Sequence, residues 1–289
     1  MNTRAILAGL AFAFIWSSAF TSARIIVTEA PPMLSLALRF FISGVLGVLI
    51  AKAMGQTWNL TRAQWRAVVI FGICQNALYL GLNFIAMQTV EASLASIIAS
   101  TMPLLVGLIG WLVLSDRPSG LGLIGLILGT MGVLLIMGSR LQGGADVFGI
   151  ALCLIGVVSL AIATLTVRSA SGGGNLMMIV GLQMLVGAFG LLIPGLIFEN
   201  WEVTWSPTLV TAFAYTTIFP GLIATLIWFW LVQEIGAIKA ATFHLLNPFF
   251  GAAIAAALLG EALGWRDVMG VIIITVGIYA VQRSRVSAR

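Results

Sequence analysis

Apolar residues along this chain collect into about ten blocks, each close to membrane-spanning length, and short polar or Gly/Pro-rich breaks divide them. The pattern predicts helices near Ala5–Ala23, Met33–Ala53, Ala67–Met87, Ala92–Leu114 and Leu121–Met137. Five more follow near Val147–Val167, Leu176–Phe198, Thr208–Val232, Ile238–Leu259 and Val268–Gln282. The strongest breaks are Glu29-Ala-Pro-Pro32, Ser115-Asp-Arg-Pro-Ser-Gly120, Ser171-Gly-Gly-Gly-Asn175 and the stretch from Trp201 to Pro207. A helix needs about 20 mostly apolar residues to cross roughly 30 Å of hydrocarbon. The 289 residues hold ten such spans only if the loops are short, which leaves no room for a soluble catalytic domain. The expected fold class is an all-α membrane protein of ten transmembrane helices. The first block imitates a secretory signal, but polar residues from Ser17 to Ser22 interrupt its apolar run and nine further spans follow.

Composition agrees, with 61% of residues hydrophobic and 8% charged. The basic residues orient the spans, because cationic loops translocate poorly. With the N-terminus inside, Arg4, Lys52, Arg62, Arg66, Arg117, Arg168, Lys239, Arg283, Arg285 and Arg289 are cytoplasmic, and the outer loops keep Arg24, Arg140 and Arg266. Both termini are thus expected in the cytoplasm and the chain in the inner (plasma) membrane. Topology and anionic lipid account for the net charge of +5 without a nucleic-acid partner. Trp58, Trp65, Trp201, Trp205 and Trp265 fall near block ends, where amphipathic rings favour the headgroup region. Cys74 and Cys153 lie inside apolar blocks, placed for neither a disulfide framework nor a thiolate metal site.

Shifting the chain by 145 positions brings Phe84 onto Phe229, Gln88 onto Gln233, Pro103 onto Pro248, Asp116 onto Glu261 and Thr130 onto Thr275. Gly125 and Gly132 meet Gly270 and Gly277. Matches of Ala, Leu and Ile are cheap in so apolar a chain, so the Gln, Pro, Thr and acidic pairings carry the signal. The expected units are residues 1–143 and 144–289. Five spans per half is an odd number, so the second half enters the membrane upside down, with Asp116 inside and Glu261 outside. Inverted repeats recur in secondary transporters, whose substrate site lies between the halves near the midplane. Duplication for packing alone is the competing reading.

The Trp16-Ser-Ser-Ala-Phe20 run ending at Arg24, the Leu38-Arg39-Phe40 step and the paired helix-Pro-helix-acidic-helix units resemble the drug/metabolite transporter superfamily, EamA type, over essentially the whole chain. The resemblance implies a ten-helix inverted-repeat carrier, similar in kind to YddG-like exporters of aromatic amino acids. The second half departs from the pattern: no Trp-Ser-Ser precedes Arg168, and Ala-Leu replaces the basic-Pro turn after Glu261.

Polar side chains are costly in hydrocarbon unless they face a cavity or a partner, which makes those inside the blocks candidates for a pathway. Gln75, Tyr79 and Asn83 recur at helical spacing with Asn76 beside them, fit either to line a permeation cavity or to join helices. Ser93, Ser96 and Ser100 share a face of the fourth block, and Thr242, His244 and Asn247 sit in the ninth. Pro103 and Pro248 each remove an amide donor and free the carbonyl four residues earlier, as helix breaks for substrate binding or gating. His244, the sole histidine, suits either proton coupling or a neutral core role. Trp16, Ser17, Phe20, Tyr215, Trp228 and Trp230 complete the candidate set, the aromatic rings to pack an apolar side chain. Arg39 could attract a carboxylate, but the favoured expectation is that it snorkels to the outer surface. The Gly125-to-Gly129 spacing serves internal packing or a dimer face, so the chain is expected to be a monomer or weak homodimer.

All nine carboxylates lie in loops or at block ends, so neutral or zwitterionic cargo fits better than a polyvalent cation. The leading expectation is export of neutral, especially aromatic, amino acids or related metabolites by alternating access. The alternative keeps the carrier fold but changes the cargo to a nucleoside, drug or organic cation. An intramembrane enzyme lacks H-E-x-x-H, an acidic pair and a G-x-S-G loop in the spans, and no phosphate-binding G-x-x-x-x-G-K-[ST] occurs. A scaffold is the remaining class. No cofactor or metal is expected.

Overall fold

The computed structural model describes residues 3–114, 119–142, 144, 146–166, 175–235, 240 and 242–287. Asp116, Arg117, Gly143, Arg168, Lys239 and Arg289 lie outside them, as do the side chains of Arg140, Phe229, Gln233, Thr242 and Arg285. The described segments are helical: α1 Thr3–Glu29, α2 Pro32–Ala53, α3 Arg62–Ala86, α4 Ala92–Ala99, α5 Met102–Leu114, α6 Gly120–Gln142, α7 Val147–Thr166 and α8 Leu176–Phe198. Helix α9 runs through Pro207–Thr216, Thr217–Ile223 and Ala224–Ile235, and a 3-10 turn at Thr242–Leu246 leads into α10 Asn247–Leu259, followed by α11 Trp265–Ser287. Among the described residues six helices are long and apolar enough to cross a membrane, and Ala92–Val106 (spanning α4 and the start of α5), Gly120–Ile136 and Asn247–Leu259 are shorter apolar helical stretches.

The outer surface is apolar and the interior is polar in places, the reverse of a water-soluble protein. Leu49, Leu134, Phe148, Ile193, Ile197 and Leu258 are exposed, whereas Ser17, Asn76, Asn83, Gln183, His244 and Asn247 are buried. Lipid-facing tails explain the first set and interhelical hydrogen bonding the second. The chain is a multi-pass membrane protein.

Small residues let the long helices approach closely. A Cβ on Gly181 of α8 would come within 2.7 Å of the Val48 amide of α2. Between α6 and α11, a Cβ on Gly125 would meet the Gly277 carbonyl at 2.6 Å, and one on Gly132 the Gly270 carbonyl at 2.8 Å. The glycine spacing in α6 is therefore spent on α11 of the same chain.

Side chains tie the loops together at both ends. Glu199 accepts from the Met33 and Leu34 amides at 2.8 and 2.9 Å, and Glu261 from those of Ala92 and Ser93 at 2.7 and 2.9 Å. Each carboxylate thereby satisfies orphan amides at a helix start and complements its dipole. At the same end Ser206 donates to Glu29 and Thr89 to Asp146, while at the other Gln56 accepts from the Met178 amide at 3.0 Å. A capping box, Thr61 with Gln64, starts α3.

Three expectations change. The fourth block is not one helix: it breaks at Ser100–Thr101, and Pro103 stands second in α5. Pro248 likewise stands second in α10, behind a 3-10 turn. Each proline thus occupies the first turn of a new segment, where its missing amide would have no intrahelical partner and its fixed φ suits the start. Finally, α3 and α9 contain π-helical stretches, Gly72–Leu80 and Thr217–Ile223, which hydropathy does not reveal.

Candidate functional site

The two π-helical stretches flank a cavity of about 590 Å³, a volume that includes its open mouth. A wider helical turn rotates side chains relative to an α-helix and keeps residues four apart nearly in line. In α3 it presents Gln75, Asn76 and Tyr79 to the cavity, with Asn83 following from the α-helical continuation. In α9 it presents Pro220 and Gly221. Trp16 and Phe20 of α1, Arg39 and Phe40 of α2, Phe84 of α3 and Gln183 and Met184 of α8 complete the main walls.

Hydrogen bonding divides the polar side chains into those already engaged and those with capacity to spare. Asn76 Nδ2 donates to the Gln183 carbonyl at 3.0 Å, joining α3 to α8. Asn83 Nδ2 donates to the Tyr79 carbonyl at 2.8 Å. Asn83 Oδ1, Gln183 Oε1 and Arg39 Nε are buried without a hydrogen-bond partner among the described residues. A buried polar group left unpaired costs about 1–3 kcal/mol, so these three atoms are where a further hydrogen-bond partner would be most favourable.

A second, smaller cavity shares Trp16, Phe20 and Tyr79 with the first and adds Ser96, Ser100, Pro103, His244 and Asn247. His244 Nδ1 lies 2.8 Å from Asn247 Nδ2. Its ring packs against Phe12, Trp16 and Trp228, with centroid separations of 5.1, 6.3 and 4.8 Å. The Asn247 carbonyl receives Ser17 Oγ at 3.3 Å and Ser96 Oγ at 3.4 Å, which gathers α1, α4 and α10 at one point. Gly251 permits this approach, since a Cβ there would fall 1.8 Å from Ser96 Oγ.

Besides Arg39, eleven of the sequence-predicted residues line one cavity or both: Trp16, Phe20, Gln75, Asn76, Tyr79, Asn83, Ser96, Ser100, Pro103, His244 and Asn247. Ser17, Tyr215, Trp228 and Pro248 line neither. Tyr215 instead shares a 2.7 Å hydrogen bond with Ser18 and stacks on Phe219, and Trp228 stacks on Phe12 at 5.1 Å. Arg39 departs from its favoured expectation: it is 4% exposed and faces the cavity instead of snorkelling to the surface. Gln183 escaped the sequence reading, although it is the one side chain in Leu176–Phe198 with strong hydrogen-bonding groups, a usable signal.

Known proteins share this architecture. Residues 3–138 and 147–283 match the EamA-like transporter family. Similar chains include the uncharacterized transporter YvbV of Bacillus subtilis (strain 168), 27% identical over 278 residues that cover 96% of this chain and 91% of that one. The uncharacterized inner membrane transporter YedA of Escherichia coli (strain K12) is 26% identical over 282 residues, 92% of this chain and 88% of that one. A solved crystal structure resembles the fold over 100% of both chains, with a TM-score of 0.68 at 19% sequence identity.

Proposed function

The chain belongs to the EamA-like transporter family, and from that premise we propose that it is a secondary transporter of the inner membrane, with both termini cytoplasmic. Its cargo is neutral, foremost aromatic, amino acids or close metabolites, exported by alternating access, as in YddG-like carriers. Ten spans form two inverted five-helix repeats, residues 1–143 and 144–289, that rock about the shared cavity. Three features support the inversion. The π-helical stretches begin at Gly72 and Thr217, 145 positions apart. Pro103 and Pro248, related by the same shift, both occupy second positions of helical segments. The close pairs Gly125–Gly277 and Gly132–Gly270 exchange with each other under that shift, as an antiparallel pair about a pseudo-two-fold axis requires.

The observation that carries the cargo assignment is the lining of the larger cavity. Amides and aromatic rings surround it, and no carboxylate among the described residues contributes to its walls. Tyr79, Trp16, Phe20, Phe40 and Phe84 offer apolar surface to a ring, while Asn83 Oδ1 and Gln183 Oε1 offer acceptors to an ammonium group. An organic cation would find no buried counter-charge there, which ranks that cargo second. Proteoliposomes preloaded with labelled phenylalanine, tryptophan, leucine, uridine and a quaternary ammonium compound separate the readings. Saturable efflux of the aromatic amino acids is expected, and efflux confined to uridine or to a quaternary ammonium compound would overturn the assignment.

A further inference from the structure

We propose that Arg39 is the carboxylate-binding residue of the larger cavity, so that the protein selects cargo by its negative group. The inference rests on the cavity being the transport site. Arg39 sits in α2 as the eighth residue of Pro32–Ala53 and is 4% exposed. A guanidinium keeps its charge in protein surroundings, and a buried charge is tolerated when it is paired and hydrogen-bonded. Among the described residues Nε has no hydrogen-bond partner, and the guanidinium lies over the Phe40 ring, 5.0 Å from Cζ to its centroid.

The candidate counter-ions are spent elsewhere. Glu199 caps α2, Glu261 caps α4, Glu29 is held by Ser206 and Asp146 by Thr89. No carboxylate among the described residues lines the cavity with Arg39. Space beside the guanidinium is preserved by Gly221, where a Cβ would stand 3.8 Å from Nη2 and 3.2 Å from Ser43 Oγ. A planar fork of donors beside such space matches a carboxylate in two-point contact. The buried acceptors Asn83 Oδ1 and Gln183 Oε1 share the cavity and suit the ammonium of the same zwitterion. The anion that completes Arg39 is therefore the α-carboxylate of the cargo.

Competition of labelled-phenylalanine efflux by phenylalanine, phenylalaninamide, phenethylamine and 3-phenylpropionate tests this in wild type, Arg39→Gln and Arg39→Lys. Loss of a charge-assisted two-point contact corresponds to a roughly 10- to 100-fold weaker interaction. Wild type is expected to favour phenylalanine over its amide by that factor, Arg39→Gln to abolish the preference, and Arg39→Lys to restore part of it. Thermal-shift titration of wild type with the same four compounds supplies a readout that does not depend on the variants folding, with stabilisation by the two carboxylates expected. An amide bound as well as the acid by wild type, or a preference surviving in folded Arg39→Gln, overturns the role of Arg39 and leaves amino-acid export standing. Transport and stabilisation by 3-phenylpropionate without phenylalanine would uphold Arg39 and overturn amino-acid export. Failure of both carboxylates to bind overturns both.

Discussion

Asn76 and Asn83, seven positions apart on α3, do different work. Asn76 spends its amide on the Gln183 carbonyl across the α3–α8 contact, whereas Asn83, which lines the cavity, bonds within its own helix and leaves Oδ1 without a hydrogen-bond partner among the described residues. Interhelical side-chain hydrogen bonds in membranes average about 0.6 kcal/mol. Asn76→Ala is accordingly expected to lower thermal stability in detergent by about that amount. Asn83→Ala should raise the KM for phenylalanine efflux about fivefold, the equivalent of roughly 1 kcal/mol, with little change in melting temperature. Stability assays and concentration-dependent flux on both variants check the contrast. Arg39 shows where residue-scale reading stops. A cation several residues inside an apolar block has a stem long enough to turn outward or inward, and the sequence alone offers no reason to choose inward. Gln183 was legible in principle, as an isolated amide in an otherwise apolar helix, because such a group must find a partner.

Element boundaries were readable wherever the apolar run ended at Gly, Pro or charge, as at Glu29-Ala-Pro-Pro32 between α1 and α2. The π-helical stretches were not, since their period differs from that of an α-helix by under one residue per turn and their composition is unremarkable. Close crossings give the packing a sharp test. Gly132→Val would place a branched side chain where even a Cβ meets the Gly270 carbonyl at 2.8 Å. Overpacking of this kind costs about 1–3 kcal/mol, so a lower melting temperature is expected, while Gly138→Val, with open space around the position, should be nearly neutral. Helix ends add a pH dependence. The Thr89 hydroxyl, helped by the Phe148 and Gly149 amides, holds the Asp146 carboxyl below its ordinary range. Its contribution to stability is present above the ordinary carboxylate range and is lost as pH falls through the depressed value. Thr89→Ala should therefore lower the melting temperature near neutral pH while narrowing its gap to wild type as pH falls, a flatter acid dependence in thermal melts between about pH 6 and pH 3.

At the scale of the whole molecule, the proposed arrangement is two halves of opposite orientation closing on one cavity. Helix pairs α2–α8 and α6–α11 join the halves through glycine contacts, and the larger cavity draws walls from α1 to α3 on one side and from α8 and α9 on the other. Neither the cavity nor the pairing of helices across the halves follows from hydropathy, which fixes how many spans fit but not which faces meet. Opposite orientation has one direct consequence: positions related by the 145-residue shift must lie on opposite sides of the membrane. Gly55, after α2, and Asn200, after α8, are such a pair, and both are exposed. In a background with Cys74 and Cys153 replaced by Ala, single cysteines at these two positions can be challenged with a membrane-impermeant maleimide on intact cells. Labelling of Asn200→Cys from outside, with Gly55→Cys reacting only after permeabilisation, is the predicted result; labelling of both from the same side would contradict the inverted arrangement.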